Sequence, residues 1–279
     1  MLALAISLAS AFSWGVSDFL GGLQSRRLPV LAVLAVSQPA GLLLIAALIP
    51  VIGADPLSAD KLAIAFVAGA ASLGGLGAFY AAMAMGTVSV VAPIAALGVV
   101  VPVAVGIAAG EAPNTVQLIG LIPAMAGVVI LSHEEDSADS GVARRAIALA
   151  IVAGLGFGIF FTGLDAAATD RPGWAILAVR VGGVTTVAAA LLVARPPLDR
   201  VSAALGVLVL IGAFDVLANA LFAVASTKGV LPVVAVGGSM YPAFTVALAH
   251  GVLGERLAAV QWTGVFLALL GVAMIAAGS

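Results

Sequence analysis

Two stretches of the sequence repeat each other and decide the fold. GEAPNTVQLIGLIPAMAGVVI occupies residues 110–130, and GERLAAVQWTGVFLALLGVAMI occupies residues 254–275. Five positions match at one constant offset of 144 residues (254 minus 110). They are the two Gly-Glu pairs that open the stretches, Gln117 with Gln261, Gly120 with Gly264, and Gly127 with Gly271. A constant offset over this length indicates an internal repeat of about half the chain.

The composition places both copies of the repeat in a membrane. Of the 279 residues, 63% are hydrophobic and 9% are charged, and the mean hydropathy is +1.26. A soluble domain is typically about 45–50% apolar and about 25% charged. Apolar runs of about 20 residues, the length that crosses a hydrocarbon core of roughly 30 Å, recur from end to end. These runs are continuous rather than alternating in polarity, which excludes a β-barrel. We therefore expect an all-α polytopic membrane protein.

The polar breaks divide the chain into ten predicted transmembrane helices. The spans are about 2–22, 30–50, 62–84, 89–109, 115–132, 144–164, 173–194, 202–224, 232–252 and 259–277. The longest polar stretch, HEEDSADSGVARR (133–145), lies near the midpoint. We predict a first five-helix repeat over 1–132, an acidic linker over 133–143 and a second five-helix repeat over 144–279. Five spans is an odd number, so the second repeat must be inverted relative to the first.

Glycines and prolines within the spans predict close packing and bends. Helices in lipid pack closely through small residues, and Gly69 with Gly77 lies on one face of the third span. A proline inside a span frees a backbone carbonyl that neighbours or a water-lined cavity must satisfy. Pro102 and Pro242, in the fourth span of each half, are expected to mark bends around a central site.

Asp215 and Arg180 are the main candidate site residues. Ionisable side chains within membrane spans are costly, which makes them functional candidates. Asn219 follows Asp215 by one helical turn and shares its face. At about 1.5 Å per residue, Arg180 lies between Asp215 and Asn219 in depth if the two spans are antiparallel neighbours. Either a structural ion pair or a solute cavity fits this pattern. In a cavity, Arg180 would hold a substrate carboxylate, and Asp215 would hold an ammonium group or take up a proton.

Several other polar side chains are weaker candidates. Asp18 shares a helix face with Trp14 but lies near the predicted end of its span, so we expect it to be solvated. Glu111 and Glu255 precede helices, whose dipoles would stabilise their carboxylates. Candidate solute ligands, each with ordinary helix packing as the alternative, are Trp14, Gln38, Tyr80, Ser239 and Tyr241.

The sequence also argues against several classes of function. It contains no Cys, which removes disulfides and thiolate metal sites. A net charge of −2 without a basic block makes nucleic acid an unexpected partner. No metal-ligand spacing, ATP-binding loop or catalytic set was found, so no metal, cofactor or enzymatic activity is expected.

The chain resembles the EamA family of the drug/metabolite transporter superfamily. The residues that carry the resemblance are AFSWGVSDF (11–19), the two Gly-Glu turns and the Gly-rich last span of each half. The resemblance covers the whole chain. It implies secondary transport of small solutes such as amino acids or other metabolites, often outward, across the cytoplasmic (inner) membrane of a bacterium. The family often carries an Arg in the second span, where this chain has Ser37 and Gln38.

These observations predict alternating access around a central cavity. The expected partners are a small-molecule solute, the lipid bilayer and protons as a candidate coupling ion, in a monomer or weak homodimer. The alternatives are an ion channel or pore, which would need filter residues, and an integral-membrane enzyme, which would need an acid/base or metal constellation. The membrane orientation stays open. The Arg-rich loops place both termini outside by the positive-inside rule, whereas the resemblance implies both inside.

Overall fold

In the structure, a computed structural model, every regular element of the described residues is a helix. The structure describes residues 2–52, 57–108, 110, 114–132, 140–167, 172–198, 200–228, 237–238 and 240–277. The helices are α1 (Leu2–Ser25), α2 (Val30–Ile52), α3 (Ala59–Met85), α4 (Val88–Ala96), α5 (Val100–Ala108), α6 (Thr115–Ser132), α7 (Ser140–Ala167), α8 (Pro172–Ala194), α9 (Val201–Lys228), α10 (Tyr241–Leu253) and α11 (Ala259–Ala277).

Six of these helices are long and apolar enough to cross a membrane by length and composition: α1, α2, α3, α7, α8 and α9. They confirm a polytopic membrane protein. The helices α6, α10 and α11 contain shorter apolar segments. The total of ten transmembrane helices therefore stays a prediction.

The fourth predicted span is a broken helix. A short 3₁₀ turn, Leu97–Val99, separates α4 from α5. Pro102 has no N–H to donate to the carbonyl of Gly98 four residues earlier. The predicted bend therefore lies just before Pro102. Pro242 stands in the first turn of α10, while residues 232–236 and 239 of the ninth predicted span lie outside the described residues.

The boundaries of the two repeats show matching local chemistry. Gly110 and Gly254 both have positive φ angles, +91° and +67°, a conformation that glycine adopts without steric cost. Asn114 and Gln117 exchange hydrogen bonds of 2.9 and 3.0 Å between side chain and backbone, which cap the start of α6. The linker was predicted over 133–143. Its last residues, 140–143, form the first turn of α7, and 133–139 lie outside the described part of the chain.

The contacts between helices are symmetric under exchange of the two halves. Helix α3 of the first half packs on α7 and α8 of the second half. The corresponding helix α9 of the second half packs on α1 and α2 of the first half. Gly15 of α1 lies against Tyr241 and Phe244, while Gly158 of α7 lies against Gly98 and Val101. Gly15 with Gly158, Gly98 with Tyr241 and Val101 with Phe244 each differ by 143 residues, one less than the offset of 144 between the two stretches that close the repeats. A pseudo-two-fold axis therefore relates the two repeats.

The last helices of the two halves show that this axis inverts the repeat. A Cβ on Gly120 would contact the carbonyl oxygen of Gly271, and a Cβ on Gly127 would contact that of Gly264. The matched glycines thus pair crosswise, so α6 and α11 run antiparallel. Corresponding helices that run antiparallel are the arrangement of an inverted repeat, and the close approach is the small-residue packing that the sequence predicted.

The bundle has a packed end and an end that contains the cavity described below. We call the end where α1 begins the first end, and the end where α1 stops, at Ser25, the second end. Toward the second end, Phe79, Tyr80 and Met83 of α3 are at most 1% exposed and pack with Val88 and Val91 of α4. This core closes the second end of the bundle beneath the cavity.

Candidate functional site: a charged and aromatic cavity

A cavity lies between the middle of the bundle and its first end. Trp14 and Asp18 of α1, Gln38 of α2, Arg180 of α8 and Asp215 of α9 contribute to its walls. The other lining residues are Gly69, Ser72, Leu73 and Leu76 of α3, Phe157, Phe160, Phe161 and Leu164 of α7, Ile176, Val179 and Gly183 of α8, Asn219 of α9 and Tyr241 of α10. Both repeats therefore build this cavity, as expected for a site at a repeat interface.

Arg180 and Asp215 form an ion pair at the cavity wall. Nη1 of Arg180 lies 2.5 Å from Oδ2 of Asp215 and donates a 3.0 Å hydrogen bond to Oε1 of Gln38. The Arg180 side chain is 7% exposed and that of Asp215 is 20% exposed. The guanidinium thus bridges α2 and α9, two helices that belong to different repeats.

The register between α1 and α9 determines which other side chains lie around the ion pair. Ser10 donates a hydrogen bond of 2.7 Å to the carbonyl of Ala218, and Ser17 donates one of 2.9 Å to that of Ile211. This antiparallel register places Trp14 level with Asp215, and Asp18 about one 5.4 Å helical turn nearer the second end. Asn219 donates to the backbone carbonyl of Asp215 at 2.7 Å and lies 3.5 Å from its Oδ1.

An aromatic wall faces these polar groups. The rings of Trp14 and Tyr241 are 6.4 Å apart between centroids in an edge-on arrangement, and those of Trp14 and Phe222 are 5.8 Å apart. Phe160 and Phe161 of α7 form a further pair at 5.1 Å. The predicted candidates Trp14, Gln38 and Tyr241 therefore lie at the cavity with the Arg180–Asp215 pair.

Two predicted candidates do not lie among the described cavity residues. Tyr80 is 1% exposed and belongs to the core beneath the cavity, where its ring lies against Gly21. The glycine leaves room for the ring to pack inward between α1 and α3, so we no longer assign Tyr80 to the cavity. Ser239 lies outside the described residues.

Asp18 differs from the expectation of a solvated carboxylate. The helix α1 continues to Ser25 rather than ending near residue 22, so Asp18 lies deeper than predicted. It is 8% exposed and lines the cavity. Its surroundings include α9, which packs along α1, and this packing could not be read from the sequence.

The sequence reasoning also missed the contribution of α7. Phe157 and Phe161 are separated from Trp14 and Asp18 by the repeat offset of 143 residues (157 minus 14), and Ser72 is separated from Asp215 by the same distance. Applying the repeat offset to the candidates of one half would have found these residues in the other half. In the stretch GLGFG (154–158), Phe157 lies in this wall, while the three glycines pack closely against neighbouring helices.

The fold and cavity define the class: a polytopic membrane protein of two repeats with a polar cavity between them. The sequence profile of the EamA-like transporter family matches residues 1–133 and again residues 144–277. The chain therefore belongs to the EamA-like transporter family, within the drug/metabolite transporter superfamily.

The comparison with solved structures supports the fold. A structure titled "Crystal structure of protein" matches with a TM-score of 0.61 and 15% sequence identity, covering 99% of this chain and 97% of that one. No match was found among curated proteins.

Proposed function

We propose that this protein is a secondary active transporter, an exporter of small organic solutes such as amino acids or other metabolites. The observation that carries the proposal is the cavity at the repeat interface, where Arg180, paired with Asp215, also donates a hydrogen bond to Gln38 of the other repeat. Family membership supports transport, and the inverted repeat supports alternating access. The membrane we propose is the cytoplasmic (inner) membrane of a bacterium, crossed by ten helices.

In this mechanism the two repeats rock around the cavity. The core of α3 and α4 beneath the cavity closes the second end. Rocking of the two repeats would open the second end and close the first. The Arg180 guanidinium is positioned to sense the motion because it contacts α2 and α9 at once. Solute contacts would be made by Trp14, Gln38, Asn219 and Tyr241, which surround the pair.

Asp215 is the candidate for proton coupling. Removal from water disfavours the charged form of a carboxyl, and the Arg180 partner favours it. A conformational step that separates the two side chains would therefore promote proton uptake by Asp215. The ion pair in turn would re-form when the proton leaves, which would link the proton to the transport cycle.

The experiment that tests this function is a thermal-stability screen of the purified protein in detergent. The ligands are amino acids, nucleobases, sugars and cationic drugs, each at two pH values. A ligand that binds only the folded state stabilises it by about 2.7 kcal/mol at 100 times its dissociation constant. We expect at least one solute to raise the unfolding temperature of the wild-type protein.

The site is tested by repeating each hit on variants. Arg180→Ala and Asp215→Asn should lose the shift, and the exposed controls Arg145→Ala and Asp60→Asn should keep it. A shift that persists in both site variants would contradict solute binding at the pair and leave it a structural ion pair.

A further inference from the structure

We propose that the cavity selects amphipathic organic amines, with Asp18 as the carboxylate that binds the protonated amine and the phenylalanines of α7 as the surface that binds the apolar body. The inference rests on the proposed function, since it names the solute class for the same cavity. It adds Asp18, which the ion pair does not involve, as a specificity-determining residue.

The first argument is the balance of charge in the cavity. Among the described lining residues, the ionisable acids and bases are Asp18, Arg180 and Asp215. Arg180 is compensated by Asp215 at 2.5 Å. With both carboxylates ionised, the lining therefore carries one uncompensated negative charge, which lies on Asp18.

The second argument is the environment of Asp18. Its side chain is 8% exposed, and no described residue donates a hydrogen bond to it or forms an ion pair with it. Ser17, its neighbour in sequence, is already committed to the carbonyl of Ile211. A buried carboxylate without a partner is unfavourable, and a cation that enters the cavity would supply the missing partner. Asp18 is thus an acidic group at the cavity wall that has no partner among the described residues, and a bound ammonium group would favour its ionised form.

The third argument is the nature of the surrounding surface. Trp14 stands one turn before Asp18 on the same face of α1, and Tyr241 packs edge-on against Trp14 at 6.4 Å. Indole and phenol faces attract organic cations. Arg180 and Asp215 complete the charged groups among the described lining residues.

The fourth argument is that the cavity is symmetric in shape and asymmetric in chemistry. The repeat offset of 143 residues pairs each carboxylate with an uncharged residue, Asp18 with Phe161 and Asp215 with Ser72, and it pairs Trp14 with another ring, Phe157; all of these residues line the cavity. The α1 and α9 side therefore binds charge, and the α3 and α7 side presents rings and aliphatic groups. A solute that contacts both needs a charged head and an apolar body.

The carboxylate of an amino acid has a weaker claim on this cavity. Nη1 of Arg180 is shared between Asp215 and Gln38, and its buried Nε has no acceptor among the described residues. A substrate carboxylate that used the remaining N–H groups of Arg180 would lie near the Asp215 carboxylate and be repelled by it, whereas an ammonium group at Asp18 adds no negative charge beside the pair. An amine without a carboxylate is therefore preferred over the zwitterion with the same body.

The test uses three compounds that share one phenyl body and differ in charge: phenethylamine, phenylalanine and 3-phenylpropionate. Binding to the purified full-length protein in detergent is measured by isothermal titration calorimetry at pH 7. We expect phenethylamine to bind most tightly and 3-phenylpropionate not to bind. Asp18→Asn should weaken phenethylamine binding by roughly tenfold or more, since it removes one partner of a buried charge pair.

Two further variants keep the result interpretable. Asp18→Glu restores the charge and should recover most of the affinity, which separates the loss of charge from a folding defect. Asp60→Asn removes an exposed carboxylate at the start of α3 and should bind phenethylamine as the wild type does. Size-exclusion profiles check that each variant is folded.

Three results would overturn the inference. Equal phenethylamine affinity in the wild type and in Asp18→Asn would show that Asp18 is not the amine site. Tighter binding of phenylalanine or 3-phenylpropionate would assign recognition to Arg180 and leave the proposed transport function in place. Absence of binding by all three compounds would reject the amine class, and the thermal-stability screen with other solutes would then decide the transport function separately.

Discussion

Arg180 is held in the cavity wall by groups from two other helices. Its side chain is 7% exposed, and Nη1 contacts the carboxylate of Asp215 and the amide oxygen of Gln38. Removing one partner of such a pair leaves an uncompensated charge in a poorly hydrated place, which is more costly than removing both. The pair should therefore behave as one energetic unit.

The stability of the Arg180–Asp215 unit can be tested by a double-mutant cycle. Arg180→Ala should lower the free energy of unfolding by about 3 kcal/mol, because Asp215 is left without its cation. The double variant Arg180→Ala/Asp215→Ala should be less destabilised than the sum of the single variants, with a coupling of about 2 kcal/mol. Thermal unfolding in one detergent measures all four proteins, with the exposed Arg145→Ala as a control. Additive effects would mean that the two side chains do not stabilise each other.

At the scale of single residues, the depth of a side chain in the membrane could be predicted from the sequence better than the residues that pack around it. The rise per residue of a helix is fixed, so counting along two antiparallel spans placed Arg180 between Asp215 and Asn219 in depth. Burial depends on which helix packs alongside, and the sequence does not state this. Asp18 was therefore placed in water and Tyr80 in the cavity, while the structure buries Asp18 at the cavity wall and packs Tyr80 against Gly21.

At the scale of elements, Glu255 connects the two repeats at the second end. Its carboxylate accepts hydrogen bonds from the backbone N–H groups of Val88 and Ser89, at 3.2 and 3.1 Å, and from the Ser89 hydroxyl at 2.8 Å. It also lies 3.4 Å from Nη2 of Arg26. A carboxylate at these positions stabilises the N-terminus of α4. We call this arrangement the Glu255 clasp.

The helix that Glu255 stabilises is not the one predicted from its position. The sequence placed Glu255 before α11, but Gly254 turns the chain at φ +67° and the side chain reaches α4 of the other repeat. The backbone N–H of Ala258, before α11, is satisfied instead by Gln261 at 2.9 Å. Helix ends and turns were predictable from local residues, whereas a cap supplied by a distant loop was not. Glu111, the matching residue of the first repeat, lies outside the described residues.

The Glu255 clasp should hold the second end of the bundle closed. Glu255→Gln removes the charge at nearly constant size and should cost about 1 kcal/mol of helix-end stabilisation, which changes an equilibrium about fivefold. The natural chain has no cysteine, so a single Met83→Cys in the buried core reports opening by its rate of maleimide labelling.

We expect this labelling to be faster in the Glu255→Gln background. Leu198→Cys, in the loop before α9 and 49% exposed, is the control and should label at equal rates in both backgrounds. Unchanged labelling of Met83→Cys would show that the clasp does not control access at the second end.

At the scale of the whole molecule, the internal repeat determines both the architecture and the place of the cavity. Glycines that match in sequence meet crosswise between α6 and α11, and the cavity lies where the two halves face each other. The repeat could be read from the sequence because glycine and glutamate positions keep a constant offset. The packing of helices across the halves required the structure, since it depends on long-range contacts rather than on composition.

The central claim is that solute crosses the membrane through this cavity by a carrier mechanism. The most direct measurement is efflux of labelled amino acids and organic amines from proteoliposomes that contain the purified protein. We predict that at least one solute leaves faster than from empty liposomes, with a rate that saturates with its concentration, and that Arg180→Ala/Asp215→Ala abolishes this flux while Arg145→Ala keeps it. Efflux equal to that of empty liposomes for every solute, or a rate that rises without saturation as in a pore, would contradict the account.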